Sequence, residues 1–548
     1  MIFEHLFTPI QIGSMTVKNR IGLPPMTVGY GTADATLTDR HRAYYETRAM
    51  GGAGLIVTEA AAINGNRKYG LFPLGLYEDA QIPSWAKLAD AVHPYGTKVG
   101  VQLMDPGPES IQMLTGVQPV GPSAVVGRSH FRSLPREMST GEVEAVVEDF
   151  AEAVGRARDA GLDCVQIHAA HGYAMVGSFL SPFFNKRTDR YGGSLEGRLQ
   201  FLLEIIAAVR AKVGRDFPLM LRMSGDEHRT GGRTLQETQF IARALVAAGV
   251  DGLEISGGAI PTVFYAVVPP QGTELAPNAP YAQAIREVVD VPILCVGRIN
   301  TPQLAEFVIA TGRADLVSMG RALNADPEMP NKAAEGRLDE IRPCVGCNEG
   351  CISAVMKGLP AGCILNTGAG KEIDGPPVAT DRPKRVLVAG GGPAGLEAAR
   401  IAAVRGHDVT LVERREKLGA ERLHRFVLFR VVSLRYRDQT PRAVDTGSQG
   451  DGLTVVSSCG GDDPPLAFLG SQVRHQVQTA PDLEGSGRIV ILVLDVSFAT
   501  QPPGNERVAG QRSWIEVAGD QASGFQNTLE AQAHSFVFRH RKHLYMFL

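Results

Sequence analysis

The chain has 548 residues, 44% of them hydrophobic and 21% charged, and a formal net charge of −3. That length leaves room for two to four domains with their own cores, and the near-neutral charge excludes the basic field that nucleic acid or an anionic membrane would require. The start, MIFEHLFTPI, lacks the basic and long apolar regions of a signal peptide, and no apolar run approaches the ~20 residues needed to span a bilayer, so the chain reads as cytoplasmic.

In chain order, eight short apolar runs recur between residues 20 and 320. They are 20–25 (RIGLPP), 54–59 (GLIVTE), 98–103 (KVGVQL), 163–168 (DCVQIH), 218–223 (PLMLRM), 252–256 (GLEIS), 292–297 (PILCVG) and 316–320 (LVSMG). Helical periodicity fills the intervals, as in VEAVVEDFAEAVGRARDAG and RLQFLLEIIAAVRAKVG. Eight alternating strand–helix units predict an α/β fold over residues 1–335, a (β/α)8 TIM barrel in preference to an open doubly wound sheet. Sites on such barrels lie at the C-terminal ends of the strands, where Glu59, Gln102, His168, Arg222, Arg298 and Arg321 end or closely follow a run. Three arginines at buried strand ends point to an anionic ligand. His168, His171 and Tyr173 gather past the fourth run, where two neutral imidazoles would grip a carbonyl oxygen and a phenol would deliver a proton. The competing explanation is hydrogen-bonded structural histidines beside a core tyrosine.

Residues 336–370 carry four of the seven cysteines, Cys344, Cys347, Cys351 and Cys363, spaced C-x2-C-x3-C-x11-C. In a reducing compartment such a cluster favours metal over disulfides, and soft thiolates suit an iron–sulfur cluster or a structural zinc. The remaining cysteines include Cys164 and Cys295, which sit inside apolar runs as small core residues. Residues 371–383 form a polar, Pro-rich linker. Over 384–418 a β–α–β pattern carries Gly390-x-Gly392-x-x-Gly395, with Glu413 near twenty positions on. That setting matches the dinucleotide fingerprint: glycines admit a pyrophosphate and Glu413 accepts a ribose hydroxyl. A Gly-rich turn with no ligand is the alternative. Across 419–548 no sustained period survives apart from a candidate strand at 488–494 (RIVILVL), so the tail is of uncertain fold. Its Gly460-Gly461 pair runs into two aspartates and two prolines, which are unsuited to a phosphate.

The segment 185–194 (NKRTDRYGGS), with Glu196 and Arg198, resembles the signature of old yellow enzyme flavin reductases. PCVGCNEGC and the glycine motif after it are similar to the iron–sulfur subgroup, which holds bacterial 2,4-dienoyl-CoA reductase, 2-enoate reductases and bile-acid enoate reductases. The resemblance covers about residues 5–418. It implies FMN across the barrel mouth, with Pro25, Met26 and Thr27 beside the isoalloxazine and Ala60 and Gln102 against the ring. It places Arg222 at the N1/O2 end and Gly297, Arg298, Gly320 and Arg321 on the phosphate. It also implies a [4Fe–4S] cluster on the four cysteines, relaying electrons from NAD(P)H-reduced FAD to FMN. The substrate implied is a small unsaturated carbonyl or enoate, its oxygen held by His168 and His171 and its α-carbon protonated by Tyr173; a homo-oligomer is compatible with all of this.

Departures from the family pattern are specific. LMDPGPES follows Gln102 where the family often has a QLxHxGR stretch. The interval after Tyr173 is one residue longer than usual, and no second His follows the sixth run. No second nucleotide motif follows Leu418, so FAD is expected to bind weakly and NAD(P)H to reduce the protein slowly. Two other readings compete: an amine dehydrogenase of the trimethylamine type, and a truncated or frameshifted product that binds flavin but is poorly reduced by NAD(P)H. The first has two residues, not three, between its second and third cluster cysteines.

Overall fold

The computed structural model describes residues 3–70, 73–126, 133–260, 264–414 and 418–419, together with the backbone of five later strands. Eight parallel strands close a ring: β1 (Ile21–Leu23), β2 (Leu55–Ala62), β3 (Lys98–Met104), β4 (Cys164–Ala169), β5 (Leu219–Ser224), β6 (Gly252–Ser256), β7 (Ile293–Val296) and β8 (Leu316–Ser318). β1 pairs with both β2 and β8, so the TIM barrel expected from the periodicity is closed. Every run predicted as a strand contains one. Most of the strands are buried on both faces, which is why they read as continuous apolar runs rather than alternating ones.

Each strand is followed by a helix: α1 (Asp39–Met50), α2 (Ile82–Val92), α3 (Thr140–Asp159), α4 (Leu195–Val213), α5 (Leu235–Ala248), α6 (Ala279–Arg286), α7 (Pro302–Ala310) and α8 (Gly320–Ala325). Thr38, Ser139 and Thr234 start α1, α3 and α5 with capping boxes, and Ser194 and Thr301 cap α4 and α7. These caps satisfy N–H groups that would otherwise be orphaned at the helix starts. At the barrel floor a hairpin contributes Ile12, Met15 and Val17 to an apolar plug with Leu55, Val57, Cys164 and Met220. Cys164 and Cys295 are both fully buried.

The chain divides after Gly375 into two units. In the second, β9 (Arg385–Ala389), α9 (Pro393–Val404) and β10 (Asp408–Glu413) form the expected β–α–β unit. Its sheet has the order β11–β10–β9–β12–β13, with β11 at Arg430–Leu434, β12 at Ile489–Leu492 and β13 at Ile515–Val517. β12 lies within the run anticipated at 488–494 and pairs parallel with β9, whereas β11 and β13 are antiparallel edges in stretches where no strand was expected. Gly460 and Gly461 lie outside the described residues. Among the described residues no helix is long and apolar enough to cross a membrane.

Candidate active site at the barrel mouth

The strand ends surround a cavity of about 600 Å3. Pro25, Met26 and Thr27 reach it from the loop after β1, Ala60 from β2, Gln102 from β3, and His168, His171 and Tyr173 from β4 and its loop. Arg222, Gly297, Arg298, Gly320 and Arg321 complete the same wall from β5, β7 and β8. Glu59 stands apart. The register of β2 against β3 skips from Thr58 to Ala60, a bulge that leaves Glu59 unpaired and turns it from the cavity. Its carboxylate instead accepts from Val28 N (3.1 Å) and faces His41 Nε2 (3.0 Å), holding the loop that carries Thr27.

A polar row crosses the inside of the ring. Gln102 donates to Gln166 Oε1 (2.7 Å), Gln166 donates to Glu254 Oε2 (3.3 Å), and Glu254 pairs with Arg222 Nη1 (3.4 Å). The parallel register sets His168, Arg222 and Glu254 level on adjacent strands, so these side chains share one face by construction. Gln166, Glu254 and Ser256 were not singled out as site residues from the sequence, although each is a polar residue embedded in an apolar run. Tyr69, whose hydroxyl donates to Ala60 O (2.8 Å), lines the cavity from a loop with no periodic signal.

The histidines differ from ordinary structural ones. Both ring nitrogens of His168 are buried without a hydrogen-bond partner, although burial of unsatisfied polar atoms is costly. His171 has φ = 65°, a left-handed backbone rare outside glycine, and its amide donates to Ser224 Oγ (2.9 Å). The rings of His168, His171 and Tyr173 lie 5.3–6.1 Å apart, with His171 and Tyr173 stacked at 11°. Burial, reinforced by the Arg222 charge, pushes His168 down to about 3 and His171 well below the usual imidazole range. Both rings are therefore neutral, each with one N–H to donate. The Tyr173 hydroxyl lies 3.7 Å from Met104 Sδ.

At the opposite end Arg298 adopts φ = 47° and has a buried Nε with no partner. Gly297 has φ = 128°, and a Cβ there would stand 2.7 Å from Asn278 Nδ2. A Cβ on Gly320 would stand 2.5 Å from Met26 Sδ, so glycine lets α8 begin against the loop after β1. Arg222 and Arg298 each keep a buried guanidinium N–H without a partner in a concave wall, which suits an anionic ligand with several acceptors.

Cys344, Cys347, Cys351 and Cys363 line one smaller cavity with Arg321 and Asn324, and Cys344 and Cys351 also border the large one. Arg321 donates to Asn348 Oδ1 (2.6 Å) and Pro269 O (2.8 Å), tying the cysteine loop to the barrel rim. Burial pushes the Cys344 and Cys351 thiols up. Among the described residues no three His, Cys, Asp or Glu side chains converge as ligands of a single ion; the thiols surround a space instead.

The 185–198 signature does not line the cavity; it braces the loop after β4. Asn185 Nδ2 donates to Phe179 O and Tyr191 O, Arg187 reaches Met138 O, and Arg198 reaches Leu180 O and Glu237. In the second unit Gly392 caps α9, and a Cβ on Gly395 would meet Gly390 O at 1.9 Å, so only glycine allows this packing. Glu413 accepts from Gly391 N at 2.6 Å.

Residues 5–340 match the profile of the NADH:flavin oxidoreductase / NADH oxidase family, and residues 369–428 match the pyridine nucleotide-disulphide oxidoreductase profile. A metal reductase of Desulforamulus reducens is 41% identical over 421 residues, covering 76% of this chain and 61% of that protein. A cinnamate reductase of Clostridium sporogenes is 36% identical over 437 residues, covering 76% and 66%. The structure of a 2-naphthoyl-CoA reductase in complex with 2-naphthoyl-CoA aligns with a TM-score of 0.73 at 33% identity, covering 76% of this chain and 65% of that one. The matched region thus spans only about three-fifths to two-thirds of these relatives' length.

Proposed function

The chain belongs to the NADH:flavin oxidoreductase / NADH oxidase family, and from that premise we propose that this oxidoreductase reduces the C=C bond of an α,β-unsaturated carbonyl or enoate. The observation that carries the proposal is His168: two buried, unpartnered ring nitrogens face a cavity shared with His171, Tyr173 and Arg222. When bound, FMN supplies the hydride, and a [4Fe–4S] cluster and FAD carry the electrons from NAD(P)H that replenish it.

The chain's own residues do the rest. His168 and His171, neutral and donor-capable, hold the carbonyl oxygen and draw electron density from the β-carbon. Tyr173 delivers a proton to the α-carbon. Arg222 opposes negative charge at its end of the cavity, and its pairing with Glu254 keeps the guanidinium in place. Pro25, Met26, Thr27, Ala60 and Gln102 bound the space for a planar ring, while Gly297, Arg298, Gly320 and Arg321 suit a phosphate. The four cysteines, arranged around a space, offer the soft ligands of an iron–sulfur cluster. Gly390, Gly392, Gly395 and Glu413 suit the FAD pyrophosphate and ribose.

The test is anaerobic mixing of the reduced, FMN-loaded protein with 2-cyclohexenone and with cinnamate. Return of oxidised flavin absorbance with formation of the saturated product is expected, and His168→Ala should slow it. If neither these nor other activated alkenes reoxidise the flavin, while trimethylamine bleaches the oxidised protein, the chain is an amine dehydrogenase instead.

A further inference from the structure

Ser256 ends β6, is 1% exposed and does not line the cavity, yet it touches two residues that do. Its Oγ lies 2.8 Å from His171 Nε2 and, in a longer contact, 3.5 Å from Arg222 Nη2. Among the described residues these are its two side-chain hydrogen-bond contacts. A guanidinium only donates, so the serine oxygen accepts from Arg222 and its one proton points elsewhere. His171 Nε2 is the acceptor within reach. Were Nε2 itself protonated, the hydroxyl would face a donor on each side and bury its own proton unsatisfied, which native interiors avoid.

We propose that Ser256 is a positioning residue that fixes His171 as the Nδ1–H tautomer, so the ring donates toward the cavity and does not accept. The backbone of His171 supports this, since its amide is held by Ser224 Oγ and its carbonyl accepts from Ile260 N at 2.9 Å. With the main chain held at both sides, the Ser256 contact decides which nitrogen carries the proton. Burial keeps the ring neutral, so one nitrogen must lack a proton. The functional consequence rests on the ene-reductase reading: a site with this tautomer selects substrates that present an acceptor oxygen and disfavours those that present only a donor.

The experiment is long-range 1H–15N NMR on the holoenzyme labelled with [15N]histidine, with the His171 signals identified by their loss in His171→Asn. Wild type should show a protonated Nδ1 and a bare Nε2. Ser256→Ala should shift population to Nε2–H, and Ser256→Thr, which keeps the hydroxyl, should restore the wild-type pattern. Cyclohexanone, an unreactive ketone, should bind Ser256→Ala about tenfold more weakly than wild type or Ser256→Thr. An Nε2–H tautomer in wild type overturns the proposal even if Ser256→Ala fails to fold, and so does an unchanged Nδ1–H tautomer in folded Ser256→Ala. A tautomer that follows Ser256 in a protein inert to every enone would refute the ene-reductase reading and leave the positioning role standing.

Discussion

The barrel and the nucleotide-fold unit both rest on parallel strands, and they complete their sheets by different means. In the barrel every strand is paired along both edges around the ring, and all eight strands come from residues 21–318 with a helix after each. In the second unit β9 and β10 are neighbours in sequence, but the strand on the other side of β9 is drawn from Ile489–Leu492. A site at the mouth of a closed ring is specified by local strand ends, each positioned by its own strand–helix repeat. A site on an open sheet depends on a distant segment arriving beside the glycine loop. The barrel site therefore brings together every residue that the resemblance implies for FMN, whereas in the second unit the glycine loop meets Glu413.

The largest expected effect separates the two halves. Tyr173→Phe should slow the oxidative half-reaction with an enone by roughly 10²–10⁴-fold, the usual scale for loss of a general acid, and leave reduction by NADH unchanged. Stopped-flow traces of the two half-reactions provide the measurement. Wild-type turnover of Tyr173→Phe on every reactive enone would assign the proton to another donor. The one-residue insertion after Tyr173 makes this the sharpest test of the site's chemistry.

A smaller effect concerns the second unit directly. Protein purified anaerobically should retain FMN stoichiometrically and FAD well below one per chain, and added FAD should speed its slow reduction by NADH. Extracted flavins separated by chromatography give the two counts. Tight, stoichiometric FAD with rapid NADH reduction would remove the contrast between the units and show that the tail completes the nucleotide site.

How much was legible in advance follows from the same contrast. Apolar runs of period-independent hydrophobicity mark strands buried on both faces, and all eight barrel strands were read that way. The His-x-x-His-x-Tyr group, the arginines in β5 and after β7 and β8, and the four cysteines were visible because polar residues near buried strand ends and clustered thiols are unusual. Glu59 was grouped with the strand-end residues because it closes the run GLIVTE, but the strand runs on to Ala62 and the bulge between Thr58 and Ala60 turns Glu59 from the cavity. Glu254 and Ser256 sit inside GLEIS and carry a signal that only the register with β5 turns into contacts. The edge strands β11 and β13 were not anticipated, because short antiparallel edges such as RVVSL lack the length and repeat that mark the barrel strands.

The smallest effect concerns acid. His168 is held down to about 3, first by burial and then by the Arg222 charge, while an unfolded chain would protonate this ring near 6.5. Between those values the unfolded state binds a proton that the folded state refuses, so folding stability falls as the pH drops from 6.5 toward 3 and is indifferent to this group above 6.5. At pH 5 the penalty for this ring is about 2 kcal/mol, one and a half units at 1.36 kcal/mol each. His168→Gln keeps a donor in place and cannot titrate, so it should lose less stability than wild type between pH 7 and pH 5. Urea midpoints followed by flavin fluorescence measure the difference. The same neutrality bears on catalysis: with His168 uncharged from pH 8 to pH 5, the oxidative half-reaction should show no imidazole inflection near 6.5. An inflection there that disappears in His168→Gln would mean the ring titrates as if exposed, and the carbonyl would then be held by a cation and not by two neutral donors.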